Sequence, residues 1–257
     1  MLQLVQPRHF LRSLMSTRNE LRLCGLTVVR ARFQNDAASI QRLYFDAPTG
    51  RKLGVMCKAL AAARKVYRCV EPAELEKIAG TVHHGGVVAI VSAPLLRVPR
   101  AQDIERWAGR KMPVLVLHRI GNAHNLGAIA RTAAFFGVEH VVLPEGPAVA
   151  VPNDAAYRVA EGGLEHLNVW RVPVLPRFLA QLRAAGYAVV GAAARGGRVE
   201  DRMRGPLALV LGNEEEGLAP DVAAACTQLV TLPGSGRVES LNVSVAAGIL
   251  IHTLLTK

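Results

Sequence analysis

The residues best suited to chemistry fall in three polar, glycine-bearing stretches of the second half of this 257-residue chain. The first, His118-Arg119-Ile120-Gly121-Asn122-Ala123-His124-Asn125-Leu126-Gly127-Ala128-Ile129-Ala130-Arg131-Thr132, follows the apolar run Val114 to Leu117. The second, Gly212-Asn213-Glu214-Glu215-Glu216-Gly217-Leu218, follows Leu207 to Leu211. The third runs from Pro233 through Ser240, Leu241 and Asn242 to Ser244 and follows Leu229 to Leu232. Asn125 reads as a cap for the helix that follows, and Arg131 lies six residues on, offset by roughly 120° around the axis. Arginine on an amphipathic helix is ordinarily a solvated charge. Here Ile129, Ala130, Ala133 and Ala134 flank it on an otherwise uncharged helix, which favours a defined anionic partner. Glu214 has two readings: it fixes a loop or a ligand amine, or the three adjacent acids cap a helix. Ser240, Asn242 and Ser244 open an apolar helix, so capping accounts for at least one of them and not for the whole string.

The elements that must position these loops follow from periodicity. In the second half the strands are Val114 to Leu117, Val141 to Leu143, Ala188 to Ala192, Leu207 to Leu211 and Leu229 to Leu232, with helices over Leu126 to Phe136, Arg177 to Ala185 and Leu241 to Leu255. Continuous β-branched runs alternating with helices imply an α/β fold, a mostly parallel sheet covered on both faces. Sites in such sheets lie beyond the carboxyl ends of the strands. The first half reads as a smaller α/β unit. It has helices over Asn19 to Phe33, Arg51 to Arg64 and Pro72 to Ala79, and strands over Gln41 to Phe45, Val66 to Val70 and Gly86 to Val91. Pro94 to Arg110, with a second proline at Pro99, reads as a linker holding at most one helical turn.

With 51% hydrophobic and 20% charged residues the chain can bury a sizeable core, which excludes disorder as its main state. The formal net charge is +11, unevenly placed. Residues 1–110 hold 18 Lys or Arg against 8 Asp or Glu, and residues 111–257 hold 13 against 12. Most of the basic residues are Arg, whose planar fork suits phosphate, so a basic first half suggests a polyanion partner, RNA or DNA. The four cysteines, Cys24, Cys57, Cys69 and Cys226, are far apart and form no CxxC pair, so they read as small buried residues in a reducing compartment. The longest apolar run, Val243 to Leu255, is broken by Ser244, His252 and Thr253 and is too short to span a membrane, which predicts a soluble protein. Residues 1–19 carry Arg8, Arg12 and Arg18 without an acid and read as a basic extension with a weak presequence character. No phosphate-loop signature or GxGxxG fingerprint is present, which removes the main support for kinase, ATPase and dinucleotide-binding readings. The histidines lack metal-ligand spacing, so no metal site is expected.

Taken together, the three loops resemble the motifs of the SpoU (TrmH-like) family of RNA ribose 2'-O-methyltransferases, of the knotted SPOUT superfamily. Asn125, Gly127 and Arg131 look like its first motif, LVLGNEEEGL (Leu209 to Leu218) its second, and LPGSGRVESLNVSVAAG (Leu232 to Gly248) its third. The first half is similar to the L30-like substrate-binding domain that precedes many members, with His83-His84-Gly85-Gly86-Val87-Val88-Ala89 like its closing segment. The resemblance implies a C-terminal sheet tied in a deep trefoil knot and preceded by the L30-like unit. It divides the chain into a basic extension (1–19), an RNA substrate-binding domain (20–93), a linker (94–111) and a methyltransferase domain (112–257). It further implies a cytoplasmic homodimer paired through the C-terminal domain and acting on structured RNA, ribosomal RNA ahead of transfer RNA.

S-adenosylmethionine is the cofactor the resemblance implies, held by Leu211, Gly212, Leu232, Pro233, Ser240 and Leu241, with Ser240 and Asn242 beside the reacting methyl. Arg131, Asn125, Glu214, Ser240 and Asn242 become the catalytic set. The family assigns activation of the ribose hydroxyl to the arginine, but a guanidinium, which holds its proton tightly, is a poor base. Gripping the neighbouring phosphate is its more physical role. Asn125 and Glu214 then orient Arg131 or the substrate, and Asn242 accepts or donates at the ribose. Two departures stand out: Asn122 where many members carry aspartate, and the extra acids Glu215 and Glu216. The competing classes are a non-catalytic RNA-binding or assembly factor on the same fold, and a methyltransferase acting on a base or a protein.

Overall fold

A computed structural model describes residues 20–147, 149–194, 197 and 205–255. The extension read over residues 1–19 lies outside them. The chain divides into two compact units, Met1–Leu95 and Leu96–Lys257.

The first unit places β1 (Glu20–Cys24), α1 (Leu26–Asp36), β2 (Ile40–Phe45), α2 (Ala47–Gly50), α3 (Gly54–Ala62), β3 (Val66–Cys69), α4 (Pro72–Ala79) and β4 (Val87–Ser92) around one four-stranded sheet of order β1-β4-β2-β3. The pairs β1–β4 and β4–β2 are antiparallel and β2–β3 is parallel. The central strand β4 is buried at Val87 to Val91, and Leu23, Val29, Ile40, Leu43, Leu53 and Leu75 close the core around it. Proline opens α4 and Gly80, at φ 68°, ends it. The helix read over Asn19 to Phe33 is not formed as one piece. Alternation in Glu20–Cys24 buries Leu21 and Leu23 on one face of a strand, and Gly25 then turns the chain at φ 95° before α1 begins.

In the second unit, α5 (Ala101–Gly109), β5 (Val114–Leu117), α6 (Ala123–Phe135), β6 (His140–Pro144), α7 (Asp154–Ala160), β7 (Asn168–Val172), α8 (Leu175–Ala184), β8 (Ala188–Ala192), β9 (Leu207–Leu211), α9 (Pro220–Ala225), β10 (Gln228–Val230) and α10 (Val243–Leu250) build a six-stranded sheet. Its order is β10-β8-β9-β5-β6-β7 and every pairing is parallel. Strand order reverses between β5 and β9. Successive crossovers leave a crevice beyond the carboxyl ends at such a switch point, and the first two chemical loops emerge there.

Several stretches differ from their sequence reading: the strand read over Leu229 to Leu232 runs over Gln228–Val230, and α7, β7 and α9 lie where no element was read. The segment taken as a linker contains α5, whose Ile104 and Trp107 are fully buried in the core of the second unit, one helical turn apart on the same face. The helix read over Leu241 to Leu255 begins at Val243 and passes into a π-turn at Ile251–Leu255. No disulfide joins the four cysteines, and only Cys24 is buried; Cys57 and Cys226 are half-buried and Cys69 is exposed.

Trp107 stacks on His140 at 4.3 Å between ring centroids, and His140 Nδ1 accepts the indole N–H of Trp170 at 3.3 Å. Nδ1 is therefore the unprotonated nitrogen, and a second proton there would face the indole N–H. Burial, helped by Arg106 and opposed by Asp103, lowers the imidazole pKa to about 4. The unfolded chain takes up this proton near pH 6.5, so the stabilisation from a neutral His140 is complete above that pH and is lost as pH falls towards 4. The wild type is expected to lose about 3 kcal/mol more than His140→Phe between pH 7 and pH 4, measured by denaturant unfolding. Equal losses would remove His140 as the acid-sensitive group.

Candidate active site

Leu117 and Leu211 are register partners at the ends of β5 and β9. Just beyond them the His118 N–H donates to the Leu211 carbonyl at 2.8 Å, so the first two loops leave the sheet side by side. The His118 imidazole is buried, and its Nδ1 has no partner among the described residues. Burial and Arg119 hold its pKa below the usual histidine range, against Asp221, a hydrogen bond to the Gly217 backbone and Glu216. The buried ring lies beside the Gly217 backbone and props the second loop from inside.

That loop is tightly folded. Gly212 has no room for a side chain, because a Cβ there would lie 2.4 Å from the Gly217 carbonyl carbon. Asn213 Oδ1 accepts the N–H groups of Glu215 at 2.8 Å and Glu216 at 3.1 Å, while its Nδ2 donates to the Arg119 carbonyl at 3.2 Å. Arg119 Nη1 meets Glu216 at 2.7 Å. Arg119 and Asn213 thus stitch the first loop to the second. Neither was singled out in the sequence, although an asparagine just after a strand is a common signal for such a turn.

The helix cap falls on Asn122, whose Oδ1 accepts from the His124 N–H at 2.8 Å, and not on Asn125. Asn125 sits inside the first turn with its side chain free for other partners. Its Nδ2 donates to Glu214, and its Oδ1 accepts from Asn242 Nδ2 at 3.2 Å. Asn242 caps α10, accepting from the Ser244 N–H at 2.9 Å and the Ser244 hydroxyl at 2.6 Å. The three loops are joined through Glu214, Asn125, Asn242 and Ser244 in a single row. The row fixes both amides. A carboxylate at one end only accepts and a helix N-terminus at the other only donates, so each asparagine has one orientation.

Leu211 and Gly212 are buried, Leu232 is half-buried, and Pro233, Ser240 and Leu241 are exposed. Ser240 lies in irregular chain before α10. Arg131 does not engage Asn125 or Glu214: its guanidinium pairs with Glu161 at 3.1 Å, a residue beyond the end of α7 that sequence reasoning passed over. The first-motif glycine, Gly127, lets α6 meet α7, since a Cβ there would come within 2.5 Å of the Ala156 carbonyl oxygen. No group of three or more His, Cys, Asp or Glu suited to a metal occurs among the described residues. No described helix is long and apolar enough to cross a membrane.

Residues 112–252 match the SpoU rRNA Methylase family, and residues 22–96 match the model described as RNA 2'-O ribose methyltransferase substrate binding. The chain is similar to the 23S rRNA (guanosine-2'-O-)-methyltransferase RlmB of Ralstonia nicotianae, 36% identical over 232 residues, which span 89% of this chain and 92% of that protein. It is also 36% identical, over 238 residues, to YfiF of Escherichia coli O157:H7, named an uncharacterized tRNA/rRNA methyltransferase; the match spans 90% of this chain and 67% of YfiF. In fold it is similar to an AdoMet-bound rRNA methyltransferase from Sinorhizobium meliloti, with a TM-score of 0.74 at 24% identity over 93% of this chain and 88% of that one. Two matched regions in order and a relative aligned along nearly its whole length place this chain in the SpoU rRNA methylase family.

Proposed function

We propose that this protein transfers a methyl group from S-adenosylmethionine to a ribose 2'-hydroxyl of RNA. The observation that carries the reading is the row Glu214–Asn125–Asn242–Ser244, which joins all three family motifs at the carboxyl edge of a parallel sheet. The site fits the cofactor. Leu241, 44% exposed, offers an apolar side chain on the third loop, and the buried Leu211 and Gly212 supply backbone at the strand end. Leu211, Gly212, Leu232, Pro233, Ser240 and Leu241 would hold it. When bound, it supplies an electrophilic sulfonium methyl.

The chain's own residues then position a ribose hydroxyl in line with that methyl and stabilise the charge that changes as it reacts. Arg131 grips the adjacent phosphate, lowers the hydroxyl pKa electrostatically and leaves the phosphate as a route for the proton. Asn242 has its carbonyl oxygen committed to Ser244, which leaves it one amide N–H to donate towards the ribose. Asn125 and Glu214 hold that amide in place. Residues 20–93 select the RNA by shape and unpaired bases, residues 112–257 carry the reaction, and residues 1–19 add basic charge. Ribosomal RNA is the favoured substrate, with guanosines of 23S rRNA the first positions to map because RlmB is named for that reaction. The deep trefoil knot and a cytoplasmic location belong to the same proposal.

A homodimer through the second unit completes it. Helices α6 and α10 pack together and expose Phe135, Val245 and Ile249, at 82%, 51% and 42%. Large apolar side chains left open on two packed helices suit burial against a second copy. Val245→Glu with Ile249→Glu is expected to convert the dimer to a monomer in light scattering, and a monomeric wild type would refute this face as an interface.

Transfer of labelled methyl from S-adenosylmethionine into RNA from a host lacking this gene tests the reaction itself. Arg131→Ala is expected to lower kcat at least about 100-fold, the scale of losing one group aimed at developing charge. Ribose methylation mapped at nucleotide resolution is expected to show one site that the variant loses. Folded wild type that binds the cofactor and methylates no RNA would instead favour the RNA-binding or assembly role.

A further inference from the structure

Glu161 is one of four non-glycine residues at positive φ among the described residues, with Arg64, Lys111 and Arg119, and its partner is Arg131. It follows the last turn of α7 in the left-handed region, at φ 45° and ψ 45°, where helices ordinarily place glycine and where a side chain with a Cβ is strained. Its carboxylate lies 3.1 Å from Arg131 Nη2, but both side chains are more than half exposed, 58% for Arg131 and 55% for Glu161. An ion pair that open to water adds little to stability. Strain at Glu161 is therefore not offset by the stability its ion pair provides.

The backbone supplies the second observation. Gly163, two residues on, is buried against Arg131 itself: a Cβ there would sit 2.8 Å from the Arg131 Cα and 3.2 Å from its amide nitrogen. The turn that carries Glu161 is pressed onto the main chain of the very residue whose side chain Glu161 holds. Strain that persists beside a functional side chain, and that surrounding packing enforces, points to function.

We infer that Glu161 is a positioning residue for the methyl transfer, its carboxylate fixing one arm of the Arg131 guanidinium so that the other N–H donors point to an RNA phosphate. The inference rests on the reaction proposed above. Arg131 has five N–H donors in a rigid fork, and holding one arm leaves the others in a defined plane. Ordering the side chain before RNA arrives removes that entropic cost from the reactive complex.

Glu161→Gly separates this role from a structural one, because glycine relieves the left-handed strain while deleting the carboxylate. The variant is expected to melt at or above the wild-type temperature. Its kcat should fall about tenfold or more, with S-adenosylmethionine affinity within about twofold of wild type. Glu161→Gln keeps an acceptor oxygen and is expected to retain kcat within about threefold. The Arg131 Nε–H resonance, identified by its loss in Arg131→Ala, gives a readout independent of turnover: it should be displaced from the free-arginine position in wild type and return to it in Glu161→Gly. A Glu161→Gly protein that melts lower and keeps kcat would make Glu161 structural and overturn the inference. So would a rise in kcat, which would make the pair a brake, or an Arg131 resonance unmoved by the substitution. Wild type without any methyl transfer overturns the proposed reaction alone, since the resonance still reads the grip.

Discussion

The amide of Asn125 connects parts of the chain that are 89 and 117 residues away, through Glu214 on one side and Asn242 on the other. Few side chains could do this. The position needs a donor for a carboxylate and an acceptor for an amide N–H on one short, planar group, which only asparagine supplies at this length. Each hydrogen bond contributes about 1 kcal/mol net, so the row matters less as a source of stability than as a geometric lock. If one member were replaced by an apolar residue, its neighbours would lose the partners that set their orientation. The apolar start of α10 and the acidic second loop would then no longer be referred to the same point on α6.

Such a lock works only if its three anchors arrive at one edge, and the sheet guarantees that. Six parallel strands all deliver their carboxyl ends to the same side, and the reversal of order between β5 and β9 opens the place where two of the loops meet. The strands are buried along β5, β6 and β9, which leaves their loops as the polar parts free to carry a site. Backbone approach does the rest. Gly212 allows the second loop to close on Gly217, and Gly127 allows α6 to lie against α7, so two motif glycines are explained by contact distances. The second of these contacts also brings the end of α7, with Glu161, within reach of Arg131.

Elements with strong local signals were legible to the residue. Pro72–Ala79, Val114–Leu117, Ala188–Ala192 and Leu207–Leu211 have the bounds that proline, β-branched runs and flanking glycines indicate. The stretch from Glu20 to Cys24 was not, because a five-residue alternation is easily absorbed into the helical pattern that follows it. Nor was α5: Pro99 and the mixed charges around it look like a connector, and only tertiary burial of Trp107 shows otherwise. At the site, the residue types were legible while several partners were not. Asn122 and Asn125 are equally good caps three residues apart, and sequence gives no register to choose between them. Arg131 finds Glu161 across a helix contact, thirty positions away, for which no local period exists.

The pattern of commitments also says what kind of catalysis this site can perform. Glu214 is taken by Asn125, Glu216 by Arg119 and Glu161 by Arg131, so three acids around the motifs already serve N–H donors. His118 is buried, and its pKa is lowered chiefly by desolvation, so it supports a loop from within. A set of groups so engaged is suited to ordering reactants and weakly suited to carrying a proton across a large pKa gap. Methyl transfer from a sulfonium has that requirement, because the electrophile is already charged and the hydroxyl loses its acidity barrier as the new bond forms. On the proposed reaction, a site of amides, glycines and a held guanidinium meets the requirement by placement, and its tolerance for error is set by how firmly Arg131 and Asn242 are held.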